Sequence, residues 1–191
     1  MSQEQLSWLA EPVPEGFVYT PDFVTRLQEQ DLVEQFRQLP FKEFEFHGYQ
    51  GKRRVVYFGY RYDFNASTLR PVEEIPEFLL PLRDRAAWFA GLAPGNLRQA
   101  LIAEYAPGAG IGWHKDRAAF DDVIGISFES QCRFRFRQKR GGGWDRLSVL
   151  LEPRSAYLLR GAARTAWEHS IPPGEMLRYS VTFRSMVMQQ S

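Results

Sequence analysis

His114 and Asp116 stand one residue apart, His169 follows 53 positions after Asp116, and Arg178 lies nine positions beyond that. A His-x-Asp pair on a β-strand turns both side chains to one face, because strand side chains alternate with period two. A histidine from a distant strand can complete a two-histidine, one-carboxylate face. Such a face holds a divalent ion and leaves positions on it open, as non-haem Fe(II) oxygenases require. Arg178 sits between Leu177 and Tyr179, where burying a guanidinium without a partner is costly. Its fork suits a carboxylate held bidentately. The chain has three histidines, and the third, His47, has no matching partner and is expected to be structural or exposed.

These residues need a scaffold of short strands. Residues 97–105, 123–128, 132–138, 147–151, 155–159 and 177–184 read as strands, with the metal strand after the Pro107-Gly108-Ala109-Gly110 turn and a hairpin tip at Gly141-Gly142-Gly143. Upstream, Phe23 to Leu39 carries helical apolar spacing and ends at Pro40. A second helix is expected from Pro81 to Leu92, and a strand over 53–62 interrupted at Gly59. The expected fold is mostly β with flanking helices (α+β). It is a double-stranded β-helix, or jelly roll, over 98–188, with a helical and substrate-covering extension over 1–97, in one domain of 191 residues.

The ordered set resembles the AlkB family of Fe(II)- and 2-oxoglutarate-dependent dioxygenases. That family ends in Arg-x-Asn-x-Thr-x-Arg; here Arg178-Tyr179-Ser180-Val181-Thr182-Phe183-Arg184 stands in its place. Ala103-Glu104-Tyr105 takes the place of the family's Asn-x-Tyr. The similarity covers roughly residues 97 to 187 and continues more loosely through Gly51 to Gly59, which looks like the substrate-covering segment. The resemblance implies that His114, Asp116 and His169 hold Fe(II), and that Arg178, Tyr105, Ser180 and Arg184 bind 2-oxoglutarate. O2 is the second cosubstrate, and N-methyl groups leave as formaldehyde with succinate and CO2 as coproducts. Ser180 and Thr182 share the face of Arg178 and Arg184, where they either line that pocket or satisfy a core.

Alkylated nucleic acid is the expected partner, DNA before RNA; the alternative is the same chemistry on a protein side chain or small molecule. Lys52-Arg53-Arg54 opens the covering segment, with Arg54 the candidate substrate contact, and Tyr57, Tyr60 and Tyr62 are candidates to stack a flipped base or to pack in a core. Arg133, Arg135 and Arg137 alternate with Cys132, Phe134 and Phe136, and Arg140 follows near the hairpin tip. That pattern gives an arginine row for phosphates, or a solvated sheet face paired with Glu129, Asp145 and Glu152. In the bacterial repair enzyme an acidic residue four positions after the first metal histidine helps read the base. Here that position is Ala118, with Asp121 and Asp122 the nearest acidic replacements.

Composition is compatible with this reading: 44% apolar, 15% aromatic and a net charge of +1 describe a globular chain without overall bias toward polyanions. No stretch is long enough to span a bilayer, and Met1 to Ala10 has no signal-peptide pattern. The lone Cys132 excludes an intrachain disulfide and is expected to pack beside Phe134. A cytoplasmic monomer is expected.

Overall fold

The computed structural model describes residues 12–46, 49–63 and 66–187. His47 and Met1 to Ala10 lie outside them. The elements in order are β1 (Phe17–Thr20), α1 (Arg26–Arg37), β2 (Lys42–Phe46), β3 (Tyr49–Phe58), β4 (Tyr60–Asp63), β5 (Thr68–Pro71) and α2 (Leu80–Phe89). There follow β6 (Leu97–Tyr105), β7 (Ile111–His114), β8 (Phe120–Phe128), β9 (Cys132–Arg140), β10 (Gly143–Leu151), β11 (Ala156–Leu159), α3 (Gly161–Thr165), β12 (Glu168–Ile171) and β13 (Arg178–Met186).

A seven-stranded sheet has the order β1-β11-β8-β13-β6-β3-β2, and a four-stranded sheet has the order β10-β9-β12-β7. Strand pleating sorts each strand of the large sheet into two faces. From β6, Ala100 and Ile102 join a core with Val33 and Phe36 of α1 and Leu82 and Ala86 of α2. Leu101, Ala103 and Tyr105, from the same strand, join a second core with Phe134 and Phe136 of the small sheet. Helices therefore cover one face, and the two sheets pack on each other across the other. This is the mostly β jelly-roll architecture expected. Strand β13 shows the sorting most sharply. Tyr179, Val181 and Phe183 enter the helix-side core, while Arg178, Ser180 and Thr182 are buried on the opposite face, between the sheets.

Local chemistry fixes the ends. Thr25 caps α1: its Oγ1 accepts the Gln28 N–H at 3.2 Å, and the Gln28 side chain accepts the Thr25 N–H at 2.9 Å. Gly59 separates β3 from β4 at φ +74°, and a Cβ there would stand 2.0 Å from the Arg98 carbonyl oxygen. Gly125 pairs directly with Tyr157 across β8 and β11, and a Cβ on it would lie 2.2 Å from the Tyr157 ring. Gly125→Ala is therefore expected to cost about 1–3 kcal/mol through overpacking. Tyr157 lines the inner recess with Arg178 and His169, so displacing its ring is expected to weaken 2-oxoglutarate binding there. Thermal melts and the KM for 2-oxoglutarate check both effects.

No helix among the described residues is long and apolar enough to cross a membrane.

Candidate active site

The sequence-proposed metal residues converge between the sheets. His114 ends β7 and pairs in register with His169 of β12; their ring centroids are 4.3 Å apart. Asp116 is not on the strand. The strand stops at His114, and Asp116 belongs to the following loop. The expectation of a continuous His-x-Asp strand is corrected accordingly. What returns the carboxylate to the same face is a tether: Arg184 Nε donates to Asp116 Oδ1 at 2.7 Å. Asp116 Oδ2 then lies 3.6 Å from His169 Nε2.

The donors suit a metal chemically. His114 Nδ1 lies 2.8 Å from the Gly112 carbonyl oxygen, so an Nδ1–H donates there and Nε2 keeps its lone pair. Burial pushes the His169 pKa down to about 3, with His114 and Arg184 adding to the effect against Asp116, so the imidazole is neutral and able to ligate. Burial likewise lowers His114. For Asp116, burial favours the acid, but Arg184 first, then the histidines, overcome this and hold the carboxyl well below the usual range. Among the described residues no three such side chains are already closed to ligand distance. Two ligands about 2.1 Å from one ion at right angles stand about 3 Å apart, so roughly half an ångström of adjustment brings Asp116 and His169 there. Two neutral imidazoles and a carboxylate fit Fe(II).

Beside this cluster is a recess lined by Tyr105, Arg178, Ser180, Thr182 and Arg184. All four β13 residues share the inward face, and Arg178 pairs in register with Tyr105. Arg178 is only 3% exposed. Its Nε donates to Ser127 Oγ at 2.9 Å and its carbon stands 5.0 Å from the Tyr105 ring centroid, while Nη1 is buried with no hydrogen-bond partner among the described residues. A buried guanidinium with an unused donor is a strong anion acceptor.

A larger cavity of about 510 Å³ opens in front of His114 and Asp116. Tyr57 and Tyr62 line it; Tyr60 does not, since its hydroxyl accepts from Arg98 at 2.6 Å. Arg54 also does not line it: it is on the other face of β3, with an ion pair to Glu104 at 2.7 Å. The cavity receives Arg53 instead. Asp121 and Asp122 are absent from the lining, Asp121 being exposed and Asp122 buried in a pair with Arg160.

The arginine row is on the outer face of the small sheet. Arg135 donates to Ser170 Oγ at 3.0 Å and Arg137 pairs with Glu168 at 2.5 Å. Both lie over Trp113, at 5.0 and 4.6 Å, and Arg137 also lies over Trp144 at 4.3 Å. Arg140 pairs with Asp145 at 3.0 Å near the hairpin tip. The row reaches the cavity only through Trp113, which is part of its lining.

Sequence reasoning gave no role to Trp113, Gln99 or Arg164, and named Arg53 only within the basic run Lys52-Arg53-Arg54. Gln99 accepts from Arg184 at 2.9 Å. Arg164, buried in α3, donates to the carbonyls of Arg117 and Phe120 and so pins the loop that carries Asp116. Its only signal in the sequence is a charge among alanines.

Comparison with known proteins agrees with this geometry. Residues 16–184 match the 2OG-Fe(II) oxygenase superfamily. The chain belongs to that superfamily, whose members use Fe(II), 2-oxoglutarate and O2. Within it the chain is AlkB-like. It is 32% identical over 181 residues to the alkylated DNA repair protein ALKBH8 homolog of Arabidopsis thaliana, covering 82% of this chain and 51% of the relative. It is 26% identical to the tRNA (carboxymethyluridine(34)-5-O)-methyltransferase alkbh8 of Xenopus tropicalis, covering 86% of this chain and 26% of the relative. The chain thus spans about half or less of these two proteins. The solved structure of OsALKBH1 superposes with a TM-score of 0.73 at 16% identity, covering 92% of this chain and 99% of that one, a likeness of fold.

Proposed function

We propose that this chain is a dioxygenase that removes N-methyl groups from bases of nucleic acid. The single observation that carries the catalytic part is the buried Nη1 of Arg178, without a partner among the described residues, beside the cluster of His114, Asp116 and His169. An anion pocket next to a two-histidine, one-carboxylate set is what a metal-chelating dicarboxylate needs. The nucleic-acid part is supported by the names of the relatives, one for DNA repair and one for tRNA.

Fe(II) with 2-oxoglutarate and O2 supplies the oxidising power: one oxygen atom enters the methyl C–H, the other enters succinate, and CO2 leaves. The hydroxymethyl group then departs from nitrogen as formaldehyde; its hydroxyl proton passes to the nitrogen of an uncharged base, and is released to solvent from a cationic one, leaving the neutral ring. The protein contributes placement. His114, held by Gly112, and His169, kept neutral, present nitrogen lone pairs. Asp116 presents an anion that Arg184 orients. Arg178 pairs with the distal carboxylate of the cosubstrate, and Tyr105 and Ser180 donate hydroxyl hydrogen bonds beside it. From the N-terminal half, Phe44, Arg53, Tyr57 and Tyr62 line the cavity, with Tyr57 and Tyr62 placed to stack on a base turned out of its strand.

The test is mass spectrometry of single-stranded DNA and RNA oligonucleotides carrying a panel of N-methylated bases, incubated with enzyme, Fe(II), 2-oxoglutarate and ascorbate. Loss of one methyl mass in wild type and not in His169→Ala is the expected result. Succinate production with every methyl retained would move the chemistry to a protein or small-molecule substrate.

A further inference from the structure

The larger cavity has a charge that the reaction does not require. Its described lining contains four cationic side chains, Arg53, Lys115, Arg117 and Arg184, and one carboxylate, Asp116. Arg184 and Asp116 are paired with each other. Fe(II) and the 2-oxoglutarate dianion cancel, so loading the site adds no net negative charge beside Arg53 and Lys115. No acidic group among the described lining residues remains for a substrate.

Arg53 is the cation set deepest. It is 8% exposed and lines both the cavity and the inner recess. The Phe44 ring lies against its guanidinium at 4.3 Å, and Nη1 reaches the Tyr105 hydroxyl at 3.5 Å. A guanidinium offers donors and no acceptor. A group entering beside it is therefore favoured if it brings carbonyl oxygens, and disfavoured if it brings amine hydrogens and a positive charge.

N-methylated bases divide along this line. Methylation of cytosine at N3 or adenine at N1 gives a cation with an amine beside the methylated nitrogen. Methylation of uracil or thymine at N3 gives an uncharged ring with a carbonyl on each side of the methyl. We propose that Arg53 is a specificity-determining residue that selects the uncharged, carbonyl-flanked class, 3-methyluracil and 3-methylthymine, over the cationic class. The inference rests on the demethylase reading above.

The decisive pair is 3-methyluracil and 3-methylcytosine in otherwise identical single-stranded oligonucleotides, since the rings differ at one exocyclic position and in charge. With the full chain, Fe(II), 2-oxoglutarate and ascorbate, kcat/KM from methyl loss should favour 3-methyluracil by about tenfold or more, the discrimination expected of one good base-edge contact. In Arg53→Gln the ratio should fall toward one, a comparison between two bases in which a change in the KM for 2-oxoglutarate cancels. Arg53→Lys should retain most of the preference. Equal or faster loss from 3-methylcytosine in wild type overturns the inference and leaves the demethylase reading standing; that comparison needs no variant and so survives a misfolded one. A ratio unmoved in a folded Arg53→Gln, with a raised KM for 2-oxoglutarate, also overturns it by assigning Arg53 to the cosubstrate. Loss from neither base, with Fe(II)-dependent succinate still formed, overturns the demethylase reading and this one with it.

Discussion

Asp116→Ala is expected to reduce succinate formation from 2-oxoglutarate by more than about a thousandfold, because several kcal/mol of metal-derived stabilisation go with the ion. It should also destabilise the metal-free protein. Asp116 and Arg184 form a close pair with side chains 7% and 12% exposed. Removing the carboxylate leaves a buried guanidinium without its counter-charge, a loss of about 3–5 kcal/mol. His169→Ala should abolish turnover to the same degree without that charge penalty, since the imidazole is neutral and its Nδ1 has no partner among the described residues. Thermal melts in chelator and succinate assays in Fe(II) separate the two effects. Turnover that survives both substitutions would remove these residues from the metal site.

Arg178→Leu should give an opposite pairing of effects. The KM for 2-oxoglutarate should rise roughly a hundredfold or more, the worth of two charge-assisted hydrogen bonds to one carboxylate. The melting temperature of the protein without cosubstrate should hold or rise. The wild-type guanidinium is buried with Nη1 unpartnered, and replacing such a group with an apolar one relieves its desolvation. The lost bond to Ser127 and the contact with Tyr105 offset part of that gain. A residue that lowers stability while serving function is the signature of a binding site. An unchanged KM would assign the burial of Arg178 to structure instead.

The chemistry was more legible in the sequence than the substrate surface, for physical reasons. His114, Asp116, His169 and Arg178 could be picked out because histidines are few here and a cation in an apolar strand is conspicuous. Their convergence depends on register, His169 opposite His114 and Arg178 opposite Tyr105, which only the folded sheets define. Arg54 in place of Arg53 is a parity error. Strand β3 is apolar on both faces, with Val55 packing between the sheets and Phe58 under the helices, so alternation could not say which arginine faces the cavity. In β9 the same reasoning worked because one face is Phe134 and Phe136 and the other is arginine. The partners of that row were less legible: Asp145 was foreseen, but Glu168 and the two tryptophans come from other strands or from across the hairpin. Helix α3 is five residues long, too short for periodicity to show, although its Arg164 holds the Asp116 loop.

The central claim is that one metal and one 2-oxoglutarate share a site built from His114, Asp116, His169 and Arg178. Anaerobic addition of Fe(II) and 2-oxoglutarate, followed by visible absorption, tests it without any assumption about substrate. An iron-to-ketoacid charge-transfer band is expected that needs both additions, vanishes in His169→Ala, and in Arg178→Leu appears only at far higher 2-oxoglutarate. A band of wild-type strength and affinity in those variants would contradict it.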